Sequence, residues 1–203
     1  MLESAAAAGD ATAMRELADQ APTSMEAFEW TQRAASQGDT ESQARLAAMF
    51  ATGQGTVKDL ASAIEWGRKA AASGDPVAMR TIGLILLFDS ESPQDHTEGL
   101  GWLEKAAEAG DTRSALRAAT IHVKGQAGQP VNEARAVALL TPLAESGDAE
   151  CQIALASVYH FGKSFTDQRA LAILWLERAR DLGHPEASRL LGEIRAEVMK
   201  KYD

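Results

Sequence analysis

The sequence predicts an all-α protein, a solenoid of about five to six stacked helix pairs running through 1–203 as a single array. Three observations predict it. A glycine followed by aspartate recurs at Gly9-Asp10, Gly38-Asp39, Gly74-Asp75, Gly110-Asp111 and Gly147-Asp148, and Gly183-His184 continues the series. The spacings are 29, 36, 36, 37 and 36 residues, a period that belongs to helix-pair repeats. Small residues and tryptophans then fall at constant distances from each glycine, with helical rather than strand spacing.

The junction is a local device. Glycine accepts the left-handed conformation that closes a helix C-terminus. The aspartate after it accepts hydrogen bonds from the free N–H groups of the next helix, worth about 1 kcal/mol. Pro76 and Pro185 follow that cap, where a missing N–H costs nothing. Each Gly-Asp therefore predicts one helix ending and another beginning with almost no loop.

The helix after each junction, helix A, carries a small residue four places on: Ala13, Ser42, Ala78, Ser114, Cys151 and Ala187. Nine places on lie Ala18, Ala47, Gly83, Ala119, Ala156 and Gly192, which let backbones approach closely. Helix B carries Trp30, Trp66, Trp102 and Trp175 eight places before a junction glycine, with Leu139 once in that slot. Three places earlier stands a small residue, Ala27, Ala63, Gly99, Ala136 or Ala172, on the same helix face. Thr23-Ser24-Met25-Glu26 has the form of a capping box, and Asp59 and Asp167 are suited to cap other B helices. The A–B loop is fullest at 51–59, varied at 125–131 and without glycine at 89–96, where His96 reads as a loop residue; the first repeat is shortened there.

The ends depart from the pattern. Met1 to Gly9 reads as the second half of a helix B, which predicts a piece of a longer protein. The last helix, about 186–200, has no helix B after it, and its polar residues Arg195, Glu197, Lys200 and Lys201 suit a cap.

Composition narrows the function classes. The net charge of −9 gives no bulk attraction to phosphate backbones, so nucleic acid is not expected as a partner. The longest apolar run, Ile82 to Phe88, falls far short of the roughly 20 residues of a membrane span. No leader is visible before Asp10, which leaves cytosol and periplasm both open. The single cysteine, Cys151, occupies a small-residue slot and reads as packing. Gly53-x-Gly55 joins two helices, unlike a phosphate loop, and no metal or nucleophile motif occurs, so no cofactor and no small-molecule substrate are expected. His122 and His160 stand at nearly equivalent places in successive repeats. They read either as a metal- or proton-binding pair or, more simply, with His122 taking the slot held by Phe50 and Tyr159. His184 reads as a cap. The tryptophans, each beside an obligatory small residue, read as inter-helix packing rather than a ligand ladder.

Taken together, Gly-Asp, Leu-Gly or Leu-Ala, an aromatic, Gly-x-Gly-x-Val-x-x-Asp and Ala-x-x-Trp-x-x-x-Ala-Ala resemble the Sel1-like repeat, a relative of the tetratricopeptide repeat. The best copy, Ala44 to Gly74, has Leu46, Phe50, Gly53, Gly55, Val57, Asp59, Ala63, Trp66, Ala70 and Ala71 in place. The resemblance implies a right-handed superhelix of antiparallel helix pairs. It also implies a non-enzymatic adaptor for a protein or peptide partner, in bacterial signalling, polarity or envelope regulation. Cysteine-rich relatives close each repeat with paired cysteines; this chain does not. In helix-pair solenoids helix A lines the concave face, which by register puts there Arg80, Leu84, Leu87 and Phe88 of the third repeat. Arg113, Leu116, Thr120 and Val123 follow from the fourth, and Ile153, Ser157, His160 and Phe161 from the fifth. Their apolar members would form a stripe across three repeats, either exposed for a partner or buried between neighbouring A helices, with Arg80 and Arg113 placed to clamp a carboxylate. The competing readings are a structural spacer without a groove ligand and a hydrolase acting on cell-wall-type substrates.

Overall fold

The structure, a computed structural model, describes residues 1–165 and 168–200, with side chains through 197. Asp167, expected to cap a helix, and Lys201 lie outside the described residues, as does the side chain of Lys200. The described chain is helical throughout, without strands. The helices are α1 (Leu2–Ala7), α2 (Ala11–Gln20), α3 (Ser24–Ser36), α4 (Thr40–Thr52), α5 (Leu60–Ala71), α6 (Pro76–Phe88) and α7 (Pro93–Glu108). They continue as α8 (Thr112–Lys124), α9 (Glu133–Glu145), α10 (Ala149–Phe161), α11 (Arg169–Asp181) and α12 (Ala187–Lys200). The chain divides into two compact units, Met1–Ala109 with α1–α7 and Gly110–Asp203 with α8–α12.

The junctions form as the sequence predicts. Their six glycines have φ between +83° and +98°, and the caps are closed by bonds such as Asp10 N–H to the Ala5 carbonyl at 3.1 Å and His184 N–H to the Ala179 carbonyl at 2.9 Å. Asp39, Asp75, Asp111 and Asp148 accept from the N–H of Ser42, Ala78, Ser114 and Cys151 at 2.7–2.8 Å. His184 takes over the role with its imidazole, Nδ1 accepting from Glu186 N–H at 3.2 Å. Two capping carboxylates are held from the preceding repeat as well. Arg15 donates to Asp39 at 3.0 Å, and the Thr112 hydroxyl donates to Asp148 at 2.6 Å.

The first unit has no single core. Small alanine-rich clusters follow one another along it, such as Ala6, Ala13, Met14 and Ala34, then Ala47, Ala51, Ala63 and Ile85. In the pairs α4–α5 and α6–α7 the small slots of A and B face each other. The closest case is α6 against α7, where a Cβ on Gly83 would stand 2.9 Å from the Gly99 carbonyl oxygen and one on Gly99 2.8 Å from the Gly83 carbonyl oxygen. Side by side, α4 packs on α6 in the first unit and α8 on α10 in the second.

The shortening of the first repeat is shared between two places. Helix α2 has 10 residues where α4 has 13, and the connection 21–23 replaces the longer 53–59. In the third repeat the expected loop ends early. Ser92 caps α7 by accepting from Asp95 N–H, Pro93 opens the helix, and His96 lies in its first turn with Nε2 2.8 Å from the Ser90 carbonyl oxygen. That tight cap was written in Ser-Pro, a helix-start signal in place of the glycine loop. At the start of α3, Thr23 accepts from Glu26 N–H at 3.2 Å as the capping box requires, but the Glu26 carboxylate returns to the Thr23 hydroxyl.

Candidate functional site on the A helices

Exposure along helix A follows its register. Three and fourteen places after the junction glycine the side chains are exposed, as in Arg113, Phe88 and Phe161. Six and ten places after it, Arg80, Leu84, Leu116, Thr120, Ile153 and Ser157 are half-buried. The apolar stripe is therefore graded: partly covered by adjoining helices, with phenylalanines exposed at its edge, 58% for Phe88 and 74% for Phe161.

In the first unit one expected surface residue is buried. Leu87 is 6% exposed, because glycine at 99 lets α7 come in over it: a Cβ there would touch Leu87 Cγ at 3.0 Å. Leu84 is half-buried, and Arg80, half-buried too, is not a free cation. The large concavity of this unit opens elsewhere. A hollow of about 1030 Å³ lies over α4 and the adjoining helix starts, lined by Arg15, Asp39, Glu41, Arg45, Ala44 and Ala48 among others. Arg15 pairs there with both Asp39 and Glu41 at 3.0 Å, and Arg45 pairs with Asp19. The sequence signal for it is the alanines, Ala44 where later repeats carry Arg80, Leu116 and Ile153, and Ala48 where they carry Leu84, Thr120 and Ser157.

In the second unit five expected residues come together. Leu116, Thr120 and Val123 of α8 face Ser157 and Phe161 of α10 across a groove of about 310 Å³, floored by Leu140 and with Lys124 at one end. Arg113 stands exposed at the start of α8, outside the groove, and Ile153 is half-buried on α10 without lining it. His160 turns away. Its side chain is 8% exposed, with Nε2 3.4 Å from Glu197 of α12, beside a small cleft of about 30 Å³. His122 is buried in the aromatic slot, its carbonyl accepting from Asn132 N–H at 2.8 Å. Among the described residues no three His, Cys, Asp or Glu side chains gather as metal ligands would.

The remaining candidates are structural. Cys151 is fully buried, and burial, reinforced by the charge of Asp148, pushes its thiol up to about 12. Each tryptophan lies under a cation three residues later on its own helix: Arg33 over Trp30, Lys69 over Trp66, Lys105 over Trp102 and Arg178 over Trp175, at 4.3–4.6 Å. The sequence shows that cation at a fixed place, and where Leu139 replaces the tryptophan, Pro142 replaces the cation. Two further devices went unread. Gln43 and Gln152, five places after their junction glycines, reach back to the Ala35 and Ala144 carbonyls at 3.2 and 2.8 Å. Glu133, at the start of α9, accepts from Lys163 N–H at 2.9 Å and Ser164 N–H at 2.7 Å, anchoring the turn after α10. A first-turn glutamate gives no sequence sign of that long-range role.

Helix pairs joined by capped glycine junctions, with grooves between side-by-side A helices, define a helical repeat protein. The Sel1 repeat model matches residues 24–39, 40–75, 76–111, 112–148 and 149–184, and the chain belongs to the Sel1 repeat family. Sel1 repeat proteins generally serve as protein-interaction scaffolds, and their fold is typically non-catalytic. Among solved structures, a Sel1 repeat protein from Oxalobacter formigenes is 28% identical, with a TM-score of 0.69 over 92% of this chain and 79% of that one. The protective antigen c5321 of uropathogenic Escherichia coli strains, which displays the same fold, is 25% identical with a TM-score of 0.73; the match covers 97% of this chain and 44% of that one. A Sel1 repeat protein from Klebsiella pneumoniae, 21% identical with a TM-score of 0.54 over 96% of this chain and 97% of that one, is alike in fold. No curated protein matches the chain.

Proposed function

We infer that the chain is a non-enzymatic scaffold that receives a peptide or helix of a partner protein on the A-helix face of its second unit. The observation that carries this is the groove between α8 and α10. It gathers Leu116, Thr120, Val123, Ser157 and Phe161 into one apolar hollow with polar hydroxyls on its walls, the make-up of a recognition site for side chains. Phe161, largely exposed at its rim, is the anchor such a site presents. With bacterial proteins as its structural neighbours, we place the role in bacterial signalling, polarity or envelope regulation.

Exchange of Phe161→Glu tests the reading. The substitution leaves the cooperative helical melt followed by circular dichroism in place and removes partner capture in a pull-down against a lysate of the source cells. Capture that persists in the folded variant rejects the groove. A hydrolase reading would need turnover that survives purification, and a spacer reading would need full function after deletion of one whole repeat.

A further inference from the structure

We propose that the occupant of the α8–α10 groove is an acidic amphipathic segment, its apolar side chains on Leu116, Val123 and Phe161 and its carboxylates on the basic flank of α8. The proposal rests on the groove reading above and adds the partner's charge to it.

The argument is electrostatic. The protein as a whole is acidic, with a net charge of −9, yet α8 carries Arg113, Arg117 and Lys124 and no acidic residue. Among the described residues the groove is lined by no carboxylate, and their one charged wall residue is Lys124, beside the exposed Phe161. Lys163, just beyond α10, adds a second exposed lysine next to that end. The nearby carboxylates keep their charge, but they lie outside the groove lining and are committed to the protein's own groups. Asp148 accepts from Cys151 N–H and the Thr112 hydroxyl, Glu133 holds the backbone of Lys163 and Ser164, and Glu150 lies 3.3 Å from His184. Neither Arg113 nor Lys124 forms an ion pair among the described residues, and they lie eleven positions apart, about 16 Å along the helix. That is the reach of a few turns of a docked helix, with apolar contact between two basic ends. Basic side chains at the groove of an otherwise acidic protein favour a negative ligand on this face over a basic one.

Two labelled peptides test it by fluorescence anisotropy against the full chain. One carries leucines at helical spacing with glutamates on its other face, and its counterpart has lysine for every glutamate. The acidic peptide is expected to bind at least about tenfold more tightly, to weaken as salt rises, and to lose that margin in Lys124→Glu. Both peptides are expected to lose binding in Phe161→Glu. Equal binding of the two, lost in Phe161→Glu, overturns the charge assignment and leaves the groove standing. Binding of the acidic peptide that survives Phe161→Glu overturns the groove as the site and the proposal with it. Binding of neither, or preference for the basic peptide, also overturns the proposal. Circular dichroism melts of both variants confirm that they are folded.

Discussion

At the crossing of α6 and α7, two carbonyl oxygens occupy the space that side chains fill in other proteins. Replacing either glycine adds a methyl group against backbone, which cannot swing aside as a side-chain tip can. Gly83→Ala or Gly99→Ala is therefore expected to cost about 1–3 kcal/mol in urea denaturation. Gly101, on the same helix α7, has nothing within 4 Å of an added Cβ, so Gly101→Ala is expected to gain about 0.5–1 kcal/mol by stiffening the unfolded chain. The opposite signs separate close packing from helix propensity. Cys151 makes a second residue-scale prediction. With its thiol buried and pushed up to about 12, alkylation by iodoacetamide at neutral pH is expected only after denaturant is added, as read by mass spectrometry. The small-residue role of both positions was readable because a missing side chain recurs at a fixed register. The burial of Leu87 was not, since it depends on how far glycine at 99 lets a different helix advance.

Among the elements, polar side chains on one helix reach groups that belong to another. Glu98 of α7 receives Arg68 of α5 through two hydrogen bonds at 2.9 and 2.6 Å, and Trp102 Nε1 donates to it at 3.1 Å. Arg68, more than the indole, holds the Glu98 carboxyl below its usual range, and the hydrogen bonds of Ser164 do the same for Glu133. A carboxylate held low in the folded state stabilises it fully above the unfolded value, near 4.5, and that stability is lost as pH falls through the lower folded value. Urea midpoints are thus expected to be level near neutral pH and to drop below about 4.5. Glu133→Gln should lower the midpoint at pH 7 and make the acid drop shallower; an unchanged drop would mean that other carboxylates carry it. Helix starts and stops were legible because caps are local chemistry, from Asp39 to Asp148. The Glu133 anchor and the Gln43 and Gln152 clasps were not, because each joins groups that only the packed helices bring together.

For the molecule as a whole, the repeat period and the family were legible end to end, since six junctions in register leave few other ways to fold. The position of the hollows was harder. A sequence search for surface follows large apolar side chains and so led to the third to fifth repeats. A hollow is where side chains are missing, and the larger one of the first unit sits over Ala44 and Ala48. In the second unit the two criteria coincide, with large residues at the rim and Ala119 and Ala154 making room between them.

The paired indoles and cations of the B helices also make the protein its own optical probe. Trp30, Trp66 and Trp102 are half-buried in the first unit, and Trp175, 7% exposed, is the single indole of the second. Emission from Trp175 should lie to the blue of the other three. Replacing it with phenylalanine leaves a signal that reports the first unit alone, and the difference spectrum reports the second. The fourth repeat, with Leu139 in the indole's place, is dark. Unfolding can thus be followed unit by unit in one unlabelled chain.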